Sequence, residues 1–209
     1  MAAVIVAAFL WAPPALGFRV PQLARILFFH VPNAMAATVA SVASAYYAIR
    51  YLMSRDLMAD AKSHAASGMA MLFWLLTTIT GAVFAKVQWG AYWNWDPKQS
   101  AIFVLLLIYM AYFALRSAIP DRRKAAAVSA GYALFAAVTV PFLTYVLPNA
   151  PGVQTLHPQG VVFSADGMDA RYKLIFWAAT LGFLGLSLWI FRIQVAFEAL
   201  RLRAVSLPT

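Results

Sequence analysis

The chain has no cysteine, which excludes disulfides, thiolate metal sites and thiol redox chemistry at once. Charge is also scarce. Only 11% of the 209 residues are charged, and Asp and Glu together number seven. A soluble domain carries about a quarter charged residues and about half apolar ones; here 64% are hydrophobic. The composition is that of an all-α integral membrane protein, and the length suits one bundle of about six transmembrane helices with short loops, forming a single domain over residues 1–209. Internal repeats and low-complexity tracts are missing too. Histidine is limited to His30, His64 and His157, so any imidazole chemistry rests on three residues.

What remains in quantity is aromatic and basic. The formal charge of +9 is read as topology rather than as affinity for nucleic acid, because Lys and Arg flank apolar segments. The apolar run Ala2–Trp11 gives about 15 Å of helix, short of the ~30 Å hydrocarbon core; extended through Phe18 it is read as a first, kinked span. Residues 19–30 are amphipathic, with Leu23, Ile26, Leu27 and His30 on one helical face, a stretch suited to lying in the interface plane. Further spans are expected near 32–53, 64–86, 97–118, 125–147 (kinked at Pro141) and 171–196. The second is rich in Ala and Ser, which permits close helix approach. Residues 54–63 read as a polar loop, and 148–170, with its prolines and glycines, as the longest loop.

The basic residues set the orientation. Ten lie on one side: Arg50, Arg55, Lys62, Arg116, Arg122, Arg123, Lys124, Arg192, Arg201 and Arg203. Six lie on the other: Arg19, Arg25, Lys86, Lys98, Arg171 and Lys173. Both termini are therefore expected in the cytoplasm. His30, the loop after the third span and His157 then share the outer face, and His64 falls on the inner side, read as a helix-start residue.

That loop is Trp89-Gly90-Ala91-Tyr92-Trp93-Asn94-Trp95-Asp96-Pro97-Lys98. It holds three of the seven tryptophans. Taken singly, each piece has a plain reading. Tryptophans anchor at the headgroup layer, and Asp96-Pro97-Lys98-Gln99 is a capping pattern with acid at N-cap, proline at N1 and glutamine at N3. Together on one face they suit a flat aromatic ligand. An iron porphyrin needs imidazoles for its axial positions, aromatic surface for the ring and cations near its carboxylates. His30 and His157 could flank a ring resting on the loop. Trp89 and Trp93, four apart, would share a face if the loop is helical, with Tyr92 and Trp95 extending the surface.

The stretch WGAYWNWDPK resembles the WWD signature of the haem-handling proteins of cytochrome c assembly. Phe29-His30-Val31-Pro32, Thr80-Gly81 before the motif and Thr155-Leu156-His157 in the last outer loop are similar to the CcmC (haem exporter protein C) family, across essentially the whole chain. The resemblance implies haem (iron protoporphyrin IX) held at the periplasmic face of the bacterial inner membrane with His30 and His157 as metal ligands, and Trp89, Gly90, Tyr92, Trp93, Trp95 and Asp96 around it. It implies delivery to the haem chaperone CcmE, association with the ATP-binding-cassette pair CcmA–CcmB and with CcmD, and no catalytic residues of its own. Asp96-Pro97-Lys98 looks more like the motif of CcsA-type cytochrome c synthases, which keeps a haem-ligating enzyme as an alternative. A permease subunit of a haem transporter is a further one, though the spans show no charge at the midplane.

Overall fold

The computed structural model describes residues 1–157, 162 and 168–206, with side chains through 202. Helices make up the regular structure of those residues: α1 (Ala2–Leu10), α2 (Leu27–Ser54), α3 (Leu57–Trp89), α4 (Pro97–Ser117), α5 (Arg122–Pro141) and α6 (Ala170–Ser206). A 3-10 helix over Pro21–Ile26 feeds α2, and a π-helical turn over Phe142–Val146 followed by a 3-10 turn over Leu147–Asn149 continues α5. Five segments are long and apolar enough to cross a membrane: Pro21–Ser54, Leu57–Trp89, Pro97–Ser117, Arg122–Asn149 and Ala170–Leu202. The protein is a multi-pass helical membrane protein.

The first run departs from its reading as a span. α1 has nine residues, about 14 Å at 1.5 Å per residue. It runs antiparallel to α6, with Ala8 and Ala12 in one cluster with Tyr172, Ile175, Phe176 and Ala179, and Trp11 with Ala12-Pro13-Pro14 ends it. The 54–63 stretch is also not a loop. α2 and α3 are separated by Arg55 and Asp56 alone; Arg55 takes the left-handed conformation (φ 57°) and Asp56 caps α3 by accepting from Met58 N at 2.9 Å. The polar residues there belong to the projecting end of a 33-residue helix, whose ~50 Å length exceeds the hydrocarbon core. α6, with 37 residues, likewise outruns its expected end.

α2 packs most extensively on α3, and the sequence shows why. Ala36, Ala40, Ser44 and Ala48 recur every fourth residue on α2, all buried, and Ala59, Ser63 and Ser67 do so on α3. Small residues at that spacing let two backbones approach closely. Hydroxyls then bond across the seam: Ser44 Oγ to Ser67 Oγ at 2.6 Å, and Ser63 Oγ donating to Ser44 O at 2.9 Å. Tyr109 of α4 joins by donating to Ser41 Oγ at 2.6 Å. At the end where α2 gives way to α3, Arg116 forms a bidentate pair with buried Asp60 at 2.7 and 2.8 Å. His64 lies at this same end, with Nδ1 3.4 Å from the Tyr112 hydroxyl.

The opposite end carries residues 11–26, 90–96 and 150–157. It is the end where the remaining functional candidates collect.

Candidate functional site

A cavity of about 370 Å³ opens at this end between α2, α3, α4 and the turn after α5. That volume lies in the range of small-molecule and cofactor sites. Its α2 wall is His30, Val31, Ala34, Met35 and Thr38, and its α3 wall is Trp74, Thr77, Thr78, Gly81 and Ala82; Trp93, Lys98, Gln99, Ile102, Thr144, Tyr145 and His157 complete it. Each helix wall repeats at i, i+3, i+4 and i+7, one face of a helix. The π-helical turn after Pro141 widens α5 and presents Thr144 and Tyr145, a use that single π turns often serve.

His30 is helical, as its place on the amphipathic face implies. It is the fourth residue of α2, and the helix continues through Pro32 at the loss of one backbone bond. Its Nδ1 lies 3.0 Å from Thr80 Oγ1. Thr80 has one hydroxyl proton, which is directed at Leu76 O at 2.7 Å, so Oγ1 must accept and the His30 Nδ1 must donate. That tautomer leaves Nε2 with its lone pair free. The ring rests against Gly81: a Cβ there would lie 2.8 Å from His30 Cε1. The entry chain before His30 is tied to α3 by buried Gln88, which donates to Val20 O at 3.2 Å and accepts from Val20 N at 3.3 Å.

His157 reaches the cavity from the loop after α5, and Asp96 holds it. One carboxylate oxygen accepts from Thr155 Oγ1 at 2.8 Å and Leu156 N at 2.6 Å; the other lies 2.8 Å from His157 Nδ1. Asp96 also caps α4, accepting from Lys98 N at 2.9 Å. Burial pushes the Asp96 carboxyl up, but the Leu156, Thr155, His157 and Lys98 contacts together outweigh it and hold it below its ordinary value. It is therefore a carboxylate at neutral pH, and His157 Nδ1 donates to it. Burial keeps the His157 imidazole below its ordinary value, Asp96 opposes that and Lys98 adds to it. The neutral ring presents Nε2 unprotonated, as a metal-ligating histidine with a carboxylate behind it does.

The tryptophan loop does not form one platform. α3 stops at Trp89, where Gly90 takes φ 91° as the C-cap, the conformation glycine adopts without strain; residues 91–96 are not helical. Trp89 and Trp93 therefore share no helical face. Trp93 lines the cavity. Trp89 packs edge-on against the His157 ring, centroids 4.9 Å apart, and against Phe84. Tyr92 lies exposed under Lys86 Nζ at 5.5 Å. Trp95 is 76% exposed and carries a left-handed backbone (φ 55°), uncommon for a bulky residue. Gln99 reaches back to Asn94 N at 2.9 Å instead of to the cap residue, bracing the loop itself.

Of the six cations at this end, Lys98 lines the cavity. Arg25 donates to Ala12 O at 3.1 Å, Lys86 to Gly90 O at 3.1 Å, and Arg171 pairs with Asp169 at 3.7 Å. Thr80, Trp74 and the Thr144–Tyr145 pair were not assigned to a site from the sequence. Their separations from His30 leave no local signal, although Thr80-Gly81 was part of the family pattern. Trp74 is 1% exposed and its Nε1 has no acceptor among the described residues. Pro158, Gly160 and Gly167 of the last loop lie outside the described residues.

The family model "Heme exporter protein C" matches residues 1–207. The chain belongs to the haem exporter protein C family. It is similar to the heme exporter protein C of Bradyrhizobium diazoefficiens, with 27% identity over 185 residues, covering 88% of this chain and 69% of that protein. With the Paracoccus denitrificans protein of that name it shares 27% over 199 residues, covering 91% and 82%. The Escherichia coli K12 protein is 29% identical over 163 residues, covering 78% of this chain and 65% of the relative. The matched span, residues 1–207, includes both histidine-bearing segments and the loop between them.

Proposed function

We propose that this family member binds haem as cargo at the periplasmic face of the bacterial inner membrane and delivers it to the haem chaperone CcmE during cytochrome c maturation. The observation that carries this reading is that His30 and His157 line one cavity, each with Nδ1 engaged and Nε2 left to bind metal. Two such imidazoles match the axial positions of haem iron. The apolar α2 and α3 walls and Trp93 suit the ring, and Lys98 suits a propionate. The buried, unpartnered Trp74 Nε1 offers a donor to a polar group of whatever fills the cavity.

In this reading His30 and His157 hold iron as a bis-histidine pair. Asp96 keeps His157 in its tautomer and keeps the Thr155–His157 segment at the cavity, and Trp89 buttresses that ring from the side. Gly90 ends α3 so that the loop can turn toward α4. Tyr92 and Trp95, exposed on the same face, are placed for the partner. With five spans and His30 at the outer end of α2, the far end of α6 lies in the cytoplasm and the chain before α2 does not; CcmA–CcmB and CcmD act beside the chain, and the chain transfers haem without itself catalysing a reaction. A synthase needs a second haem site within the membrane; the third histidine, His64, sits at the opposite end beside Tyr112, which gives that alternative no support.

The test is an absorption spectrum of the detergent-purified, haem-loaded protein. A low-spin bis-histidine Soret band is expected. It should change on His30→Ala or His157→Ala and vanish when both are changed. A double variant that retains the wild-type band rejects the ligand pair.

A further inference from the structure

We infer that the two imidazoles are unequal ligands, and that His30 is the one that gives way first when an incoming ligand competes for the iron. This rests on the haem-binding function proposed above and adds the order of ligand exchange to it. The asymmetry lies in what stands behind each ring. His157 Nδ1 donates to a carboxylate at 2.8 Å. A hydrogen bond to an ionised acceptor is about twice as strong as a neutral one, and a carboxylate behind an imidazole raises its basicity toward metal. His30 Nδ1 donates to a hydroxyl at 3.0 Å. That oxygen carries no formal charge, and its own proton is already committed to Leu76 O.

The surroundings act in the same direction. Asp96 fixes the His157 segment through three contacts, from Thr155, Leu156 and His157 itself, and the Trp89 ring closes its flank. A loop position therefore does not make His157 the loose partner. His30 belongs to a continuous 28-residue helix, with its ring against Gly81. It cannot follow a haem that moves outward toward a partner at this face, so outward motion would stretch the contact from Nε2 to iron on this side first. Asp96 and Thr80 are positioning residues with opposed strengths.

Carbon monoxide reads the order directly. In the dithionite-reduced, haem-loaded full chain it displaces one axial ligand, and the Fe–CO stretching frequency reports the imidazole left on the far side. Two conservative variants are compared with wild type by resonance Raman: Asp96→Asn, which retains a capping side chain, and Thr80→Val, which keeps the shape and removes the acceptor. The expected result is a shifted Fe–CO frequency in Asp96→Asn and an unshifted one in Thr80→Val. The CO adduct of His30→Ala should match wild type. A shift in Thr80→Val, or none in Asp96→Asn, overturns the order while leaving bis-histidine binding intact. A wild-type protein with no low-spin bis-histidine spectrum before CO is added overturns both the order and the function on which it rests.

Discussion

Gly81→Ala isolates the fit of His30 from the stability of the fold. The added Cβ would stand 2.8 Å from His30 Cε1, 3.4 Å from Nδ1 and 3.7 Å from Nε2. Ordinary contact begins near 3.4 Å, so the ring has to retreat by roughly 0.6 Å, and its Nδ1 is tied to Thr80 on the same helix as the new methyl. Overpacking of this kind costs about 1–3 kcal/mol. Replacing glycine by alanine inside a helix returns about 1 kcal/mol, so fold stability should change by no more than about 2 kcal/mol. If the strain falls on the haem-ligating position of the ring, it corresponds to roughly 5- to 150-fold weaker binding, since 1.4 kcal/mol is tenfold. The assay is a haem titration followed at the Soret band, beside thermal unfolding in the same detergent. Gly131→Ala is the control: it also lies in a helix, and its added methyl meets nothing within 4 Å, so its affinity should match wild type. Pairing Gly81→Ala with His30→Ala should restore whatever stability the single change lost. Affinity within twofold of wild type in Gly81→Ala would show that the close approach of ring and glycine does not position the ligand.

Asp96→Ala should lose the α4 cap, about 1 kcal/mol, and weaken haem binding ~10–100-fold through His157; equal affinity in a Soret titration would sink the positioning role. Because the folded Asp96 carboxyl is held below its ordinary 3.8, its contribution is present above that value and is lost as pH falls through the lower folded value. Leu156 amide protection in hydrogen exchange should accordingly persist at pH 4.5 and decline only below about 3.8; loss of protection by pH 5 contradicts this. Arg116→Ala leaves the buried Asp60 carboxylate alone and should destabilise by about 3–5 kcal/mol with an unchanged Soret band, since the pair lies at the far end of the bundle; a stable variant, or one with altered haem binding, refutes the separation. Trp95→Gly should relieve left-handed strain of about 1–3 kcal/mol, bind haem normally and load the chaperone poorly, whereas Trp93→Ala should lose haem affinity; the reverse pattern would exchange their roles.

How much of this was legible in the sequence depended on the range of the physics. Hydropathy and small-residue content are properties of single segments, and they gave the five long helices and marked the second span for close approach without naming α3 as its partner. Boundaries failed where polarity stood in for chain direction. The 54–63 stretch is polar because α3 projects beyond the hydrocarbon, and the composition of a projecting helix resembles that of a loop. The first run was read too far along the chain: its helix stops at Leu10, before Pro13 and Pro14, and does not continue through Phe18. His30 and His157 were identifiable as a pair because alternation through the spans placed them on one face. The platform was not, because its helical reading ignored what Gly90 does to the chain after Trp89.

Asp96 shows why local patterns under-determine a site. The sequence Asp-Pro-Lys-Gln accounts for it completely as a cap, and the cap is there. A carboxylate has two oxygens and about four acceptor sites, however, and a single bond to Lys98 N leaves most of them open. A buried carboxylate with open acceptors is costly, so something else had to satisfy it. The loop that arrives does so with a hydroxyl, an amide and an imidazole from Thr155, Leu156 and His157, about sixty positions away in the chain. The same charge that begins α4 thus orders the segment bearing His157, and helix initiation and ligand placement cannot be altered independently at this residue. Asp96→Asn retains the first role and removes the charge from the second, which is why that substitution, more than the alanine, separates architecture from chemistry in this cavity.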